Sequence, residues 1–338
     1  MKNNAFIPSA PVTVNWAVTN ACNFRCKHCY SRADTKEELD FEALCAIVRK
    51  LAQAKVFSVN FGGGEPLLRK DLPGIARLAA DLGLTVSMNS NGFLVSADMA
   101  RKLKEAGFAK VGISIDSPKP QVHDQFRGVA GSHEKALAAL AHLKEAGIET
   151  SISSVICKIN IGDIDGLVQM ALSAGVSNIN FHNFKCSGLG FTNKDTLDLG
   201  PAEWKEFYTR ALELKKTVKG LRISLEDPII ASLGHKNGDS LVKGSVCGKL
   251  SLNIKSNGDM TPCGFIPIVI GNICKDDLLE VWDKSPVLEM MRNKVPKGKC
   301  LSCKTYSECL GGCTARTLAL TGDINNPDPH CWVSPSGE

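Results

Sequence analysis

Between residues 12 and 182 the chain alternates short apolar runs with amphipathic stretches, and that alternation admits few folds. Strands are expected at Val12–Thr19, Phe57–Phe61, Thr85–Met88, Val111–Ile115, Thr150–Cys157 and Asn178–His182. Helices are expected at Leu39–Leu51, Leu72–Leu82, Ala97–Ala106, His133–Ala146 and Asp163–Ala174, with a further one around Ala202–Val218. In the first helix Phe41, Leu44, Ile47, Val48 and Leu51 share one face. Gly83, Gly107, Gly147 and Gly175 stand where C-caps would fall. Repeated strand–helix–strand units build a parallel sheet with right-handed crossovers. The result is an open twisted sheet or a full or partial barrel, and ligands then gather at the C-terminal strand ends.

After about residue 220 the pattern changes. Gly, Pro and Cys punctuate short segments, with two short helices expected at Asp277–Trp282 and Pro286–Met291. A length of 338 residues suits two domains, and the second reads as loop-rich and held by metal. The chain has 14 cysteines, too sparse and in too long a chain for a disulfide scaffold. No apolar segment opens the sequence as a secretory signal would, and no run of apolar residues is long enough to span a bilayer. The expected setting is the reducing cytoplasm, where thiols stay free and many cysteines point to metal or iron–sulfur ligation. A net charge of +5 without a basic run gives no support for nucleic-acid binding.

Directly after the first strand stands Cys22-Asn23-Phe24-Arg25-Cys26-Lys27-His28-Cys29. Three thiolates within eight residues can wrap one small centre. A closed zinc site wants four ligands, and an iron–sulfur cubane normally takes four cysteines. With three, one iron stays open to a non-protein ligand. Gly62-Gly63-Gly64-Glu65-Pro66 follows the second strand, Asn89-Ser90-Asn91-Gly92 the third, and Ser114-Ile115-Asp116 the fourth, with His123–Gly128 beyond.

This set resembles the signature of radical SAM enzymes. The resemblance implies a partial (β/α)6 barrel whose Cys22, Cys26 and Cys29 hold a 4Fe–4S cluster that binds S-adenosylmethionine. It further implies contacts to that cofactor from Gly63, Gly64, Glu65, Asn91, Ser114, Asp116 and Arg127. Glu65 and backbone carbonyls would meet the methionine ammonium, Asp116 the ribose, and Arg127 the carboxylate. His28 would pack beside the adenine. Ser90 stands where the family carries Thr.

Cys247, Gly258 and Cys263, then Cys300, Cys303, Cys309, Cys313 and Cys331, resemble the seven-cysteine SPASM extension at every spacing. The resemblance implies two auxiliary iron–sulfur clusters. Cys300, Cys303, Cys309 and Cys331 would hold the distal one, and Cys247, Cys263 and Cys313 the proximal one, as 4Fe–4S or 2Fe–2S. Seven thiolates leave the proximal cluster short of one ligand, with Asn253 near the place where relatives add a cysteine and Cys274 as the candidate to close it. The expected division is residues 1–200 for the barrel, 201–240 for a helical linker and 241–338 for the auxiliary domain. Cys45 and Cys157 read as inert buried thiols, and Cys186, after the sixth strand, as facing the pocket.

The implied chemistry is reductive cleavage of S-adenosylmethionine to a 5′-deoxyadenosyl radical, which takes hydrogen from a substrate, the auxiliary clusters accepting the electron. The first choice of substrate is a ribosomally made peptide or protein side chain, with a separate recognition protein and an electron donor such as flavodoxin or ferredoxin. The second is a haem precursor, because the run Gly311–Arg316 and Thr321–Cys331 also resembles enzymes of alternative haem synthesis. A zinc-stabilised binding module without activity is the reading from another class. No general acid or base is assigned.

Overall fold

The computed structural model describes residues 7–31, 38–235 and 242–334. The barrel half runs β1 (Thr13–Thr19), α1 (Phe41–Gln53), β2 (Ser58–Gly63), α2 (Leu72–Asp81), β3 (Thr85–Ser90), α3 (Ala97–Glu105), β4 (Phe108–Ser114) and α4 (Pro120–Arg127). It continues with α5 (Ser132–Glu145), β5 (Glu149–Ile156), α6 (Ile164–Ala174) and β6 (Asn178–Asn183). Two single turns, α7 (Leu189–Thr192) and α8 (Lys194–Leu197), lead to α9 (Pro201–Thr217) and β7 (Arg222–Leu225). The C-terminal part adds β8 (Ser251–Ile254), β9 (Asp259–Thr261), β10 (Gly271–Asn272), α10 (Leu278–Lys284), α11 (Pro286–Arg292), α12 (Tyr306–Cys309) and α13 (Thr314–Thr321).

All strands join one sheet in the order β10-β9-β8-β1-β2-β3-β4-β5-β6-β7. Neighbours from β8 through β1 to β7 are parallel, so the sheet curls into the open barrel expected, with α/β layering throughout. Two elements depart from the sequence reading. The segment expected to be a helical linker contains β7, hydrogen-bonded to β6. The C-terminal domain is not separate in the sheet, because β8 pairs with β1 from Thr13↔Ser251 to Trp16↔Ile254. Both strands have only four residues, too few to show a period.

Strand alternation sorts the two faces. Val14, Trp16, Val18, Val59, Phe61, Val86, Met88, Val111, Ile113, Ile152, Ile179 and Phe181 are buried beneath the helices in one continuous core. The alternate residues line the concave face, and they are small and polar: Asn15, Asn60, Ser87, Asn89, Ser153, Asn180 and Ser224 keep exposed or half-buried surface. Asn60 donates to Asn15 Oδ1 at 3.2 Å, and Ser87 to Asn60 Oδ1 at 3.2 Å, so a polar rung crosses three strands. Helix starts are fixed locally, Asp40 accepting from the Ala43 N–H and Ser96 from the Met99 N–H. Among the described residues no helix is long and apolar enough to cross a membrane.

One buried ionic group fastens the C-terminal part to the far edge of the barrel. Arg316, on α13, donates through Nη1 to Asp227 Oδ2 at 2.9 Å and through Nε to Asp328 Oδ1 at 2.7 Å. All three side chains are essentially without solvent contact. Asp227 also receives hydrogen bonds from Asn183 at the end of β6 and from Tyr208 of α9. Removing one member of such a group leaves uncompensated buried charge. Arg316→Met is therefore expected to lower stability by about 3–5 kcal/mol, read as a lower denaturant midpoint. A midpoint equal to wild type would contradict this account of the interface.

Candidate functional site

The loop carrying Cys22, Cys26 and Cys29 leaves the end of β1 and is pinned by backbone bonds on two sides, with side chains such as Asn91 and Asn193 adding to them. Gly64 N–H donates to Thr19 O and Glu65 N–H to Ala21 O, each at 2.8 Å. From the other side Arg25 and Lys27 N–H groups donate to the carbonyls of Arg127 and Phe126. Two of the three glycines are required by space. A Cβ on Gly63, whose φ is +126°, would lie 2.2 Å from Thr19 O, and one on Gly64 would lie 2.0 Å from Ala21 O. Gly62 has nothing within 4 Å. The three cysteines are close enough that burial raises the Cys26 thiol, opposed by Arg127, with smaller upward contributions from Cys29 and Cys22. Three sulfurs on one pinned loop, with no fourth cysteine in the loop, fit a cluster that leaves one metal corner free.

The other sequence-named residues surround this loop, though several turn inward. Glu65 is buried; its carboxylate accepts from Ser90 Oγ and Asn91 N–H at 2.8 Å and from Leu67 N–H at 3.2 Å. Burial pushes it up to about 7 despite these donors. Its carboxylate thus braces the turn after β3 and caps the turn at Pro66–Leu68. Asn91 Nδ2 reaches Asn23 of the cysteine loop at 2.8 Å. Asp116 and Arg127, read from sequence as two separate cofactor contacts, pair with each other at 2.6 Å, and both are buried. Burial opposes the Asp116 charge, but Arg127 holds its carboxyl below the usual range. Arg127 Nη1 also lies 3.9 Å from Cys26 Sγ. Ser114 ends β4 half-buried on the concave face. His28 stacks on Phe126 at 4.4 Å, and burial lowers it to about 3.

The second set of cysteines separates into two groups. Cys300, Cys303, Cys309 and Cys331 line one cavity with Tyr306 and Asp328. Cys263 donates to Cys247, which lowers Cys247 to about 7, and Cys313 adds charge beside Cys263. This is the donor chemistry of one four-sulfur and one three-sulfur site. Cys274 does not close the latter. It is exposed, its charged neighbours are Lys50, Lys275 and Asp40, and its sulfur lies against Gly258. Cys186 is buried, with its thiol 3.4 Å from Asp198. Cys45 and Cys157 are buried, as expected.

Four side chains that sequence reasoning missed stand between the two regions. Tyr30, next to Cys29, packs on Phe265 at 4.3 Å while part of its surface stays exposed, and the surrounding protein, then Cys263 and Cys29, push its phenol up. Lys185, just past β6, lies 3.2 Å from Cys313 Sγ. His182 and Glu226, at the ends of β6 and β7, face each other at 3.5 Å. His182 shares the concave phase of Asn180, and Glu226 continues that of Ser224, a signal available from the alternation once the barrel was inferred; Tyr30 and Lys185 lie in loops and carry no such signal.

Residues 16–171 match the Radical SAM superfamily, and residues 247–304 match SPASM, an iron–sulfur cluster-binding domain. An AdoMet-dependent heme synthase of Methanosarcina barkeri is 29% identical, over 97% of this chain and 98% of its own. Mycofactocin maturase MftC of Mycolicibacterium smegmatis is 29% identical, over 97% of this chain and 85% of its own. In fold, the structure of Streptococcus suis SuiB bound to S-adenosylmethionine aligns with a TM-score of 0.81 at 20% identity, covering 96% of this chain and 78% of that one. The chain is a radical SAM enzyme, of the branch that carries a C-terminal SPASM domain. Its cofactors are S-adenosylmethionine and iron–sulfur clusters, and the reading as an inactive zinc module falls away.

The glycine geometry makes a sharp contrast. Gly64→Ala pushes Ala21, and with it Cys22, out of place, and a displacement of about 1 Å near reacting groups can cost about 100-fold. The expected result is a loss of that order in 5′-deoxyadenosine formation with the auxiliary iron retained. Gly62→Ala should load iron normally. Equal iron content and activity in the two variants would refute the packing argument.

Proposed function

We propose that this enzyme abstracts a hydrogen atom from a side chain of a peptide or protein held in the barrel. The observation that carries this reading is the polar concave face. Asn15, Asn60, Ser87, Asn89, Ser153 and Asn180 offer carboxamides and hydroxyls on successive strands. A peptide backbone, with a donor and an acceptor at nearly every residue, can satisfy such a wall. The flat ring face of a macrocycle has no donors or acceptors to match such a wall, its carboxylates lying only at the edge, and polar wall groups beneath the face would go unpaired at about 1–3 kcal/mol each.

In the same proposal Cys22, Cys26 and Cys29 hold the cluster that binds S-adenosylmethionine. That cluster, when loaded and reduced, supplies the electron that releases the 5′-deoxyadenosyl radical from the cofactor. Gly63, Gly64 and Asn91 shape the wall for the methionine part, and Ser114 stands at the ribose end. Glu65 holds the turn that carries Asn91. Asp116 and Arg127 act from behind as a buried pair that keeps positive charge beside Cys26. Cys300, Cys303, Cys309 and Cys331 serve the distal auxiliary cluster, and Cys247, Cys263 and Cys313 the proximal one. A separate protein that presents the peptide, and flavodoxin or ferredoxin as donor, complete the scheme.

A second reading, action on a haem precursor, is favoured by the end-to-end match to the Methanosarcina barkeri enzyme, which covers 97% of this chain and 98% of that one. Anaerobically reconstituted enzyme, reductant and S-adenosylmethionine are to be incubated with candidate peptides and, separately, with iron-coproporphyrin, and the products weighed by high-resolution mass spectrometry. A peptide whose mass falls by whole hydrogens or by a small lost group is expected. A changed porphyrin with every peptide intact would overturn the first reading. Cys26→Ala should reduce 5′-deoxyadenosine to background, and a wild-type yield from it would remove the cluster assignment.

A further inference from the structure

The sulfur group formed by Cys247, Cys263 and Cys313 belongs to the C-terminal domain, yet its nearest cation comes from the barrel. Lys185 follows β6, and its Nζ lies 3.2 Å from Cys313 Sγ. The ammonium is held in place on two further sides. It donates to Asn183 Oδ1, and it stands 6.0 Å from the centre of the Phe265 ring. Asn183 is itself fixed by donating to Asp227, the carboxylate that binds Arg316. The lysine is thus aimed by the same buried network that joins barrel and SPASM domain. Among the described residues no carboxylate lies at hydrogen-bond distance from Nζ, although Asp227 and Glu226 stand near enough to feel its charge, so Cys313 Sγ is its nearest anionic partner.

A proton donor on a ligating sulfur, and a positive charge beside it, both favour the more electron-rich state of an iron–sulfur cluster. Held in a protein interior, that charge is felt more strongly than in water. We propose that Lys185 is a positioning residue that raises the reduction potential of the proximal auxiliary cluster by donating to Cys313 Sγ, making this cluster the better electron acceptor on the lumen side. This rests on the assignment of Cys247, Cys263 and Cys313 to that cluster.

The test uses the full chain, reconstituted anaerobically, with Cys22, Cys26 and Cys29 changed to alanine so that only auxiliary clusters give a signal. Redox titration followed by electron paramagnetic resonance gives a midpoint for each, and the signal lost in an added Cys263→Ala change is the proximal one. In that background Lys185→Met should shift the proximal midpoint to a more negative potential and alter its g-values, with the distal midpoint unmoved. Lys185→Arg should keep the midpoint close to that of lysine. An unmoved proximal midpoint in Lys185→Met would overturn the proposal, as would equal shifts of both clusters. Failure of Lys185→Met to load the proximal cluster would overturn it too, since the lysine would then be a structural prop. If Cys263→Ala removes no signal, it is the cluster assignment that fails, an outcome distinct from the others.

Discussion

The guanidinium of Arg316, shut between Asp227 and Asp328, is the interaction on which the placement of the auxiliary sites depends. It is not a cheap way to make an interface, because three charges lose their water. Its value lies in direction. Asp328 also accepts from the Cys313 N–H at 2.8 Å, so the carboxylate that holds Arg316 holds the start of α13 and a cluster cysteine as well. Asp227 ties the same group to Asn183 and Tyr208 of the barrel. An apolar seam of equal area would allow sliding, whereas this one sets a single register between the two cysteine groups and the concave face.

The concave face follows from a different economy of residues. In β1 the order Val14-Asn15-Trp16-Ala17-Val18 sends three apolar side chains under the helices and leaves an amide and a methyl inside. In β2 Val59 and Phe61 go outward, leaving Asn60 and Gly62 inside. A closed eight-stranded barrel fills its middle with branched apolar side chains. Here the middle is polar, open and available to a substrate, and the apolar content of the strands is spent on one face alone.

Much of this was legible from residues. The six long strands and their helices follow from hydrophobic period, and the two sets of cysteines proposed for the clusters stand out by their spacing. The illegible parts are short or non-local. β7 and β8 have four residues each and take their pairing from β6 and β1. Helix α4 opens with Pro120 and is punctuated by polar residues, so its period is weak. Asp116 and Arg127 looked like two separate contacts because sequence separation hides the 2.6 Å bond between them. Nothing in its own stretch marks Lys185, whose sulfur partner Cys313 is distant in sequence.

The pairing of β8 with β1 has a bearing on synthesis. The first strand of the barrel is made long before its outer edge finds a partner, in residues Ser251–Ile254. An unpaired parallel edge recruits other strands, and domains of this size pass through partly assembled states. Until β8 is made, that edge stays open to pairing with other strands. Its other edge, at β7, is anchored later still, when Arg316 arrives to meet Asp227. The C-terminal domain thus supplies the strand that covers the β1 margin, and a chain that stops before it leaves that margin bare.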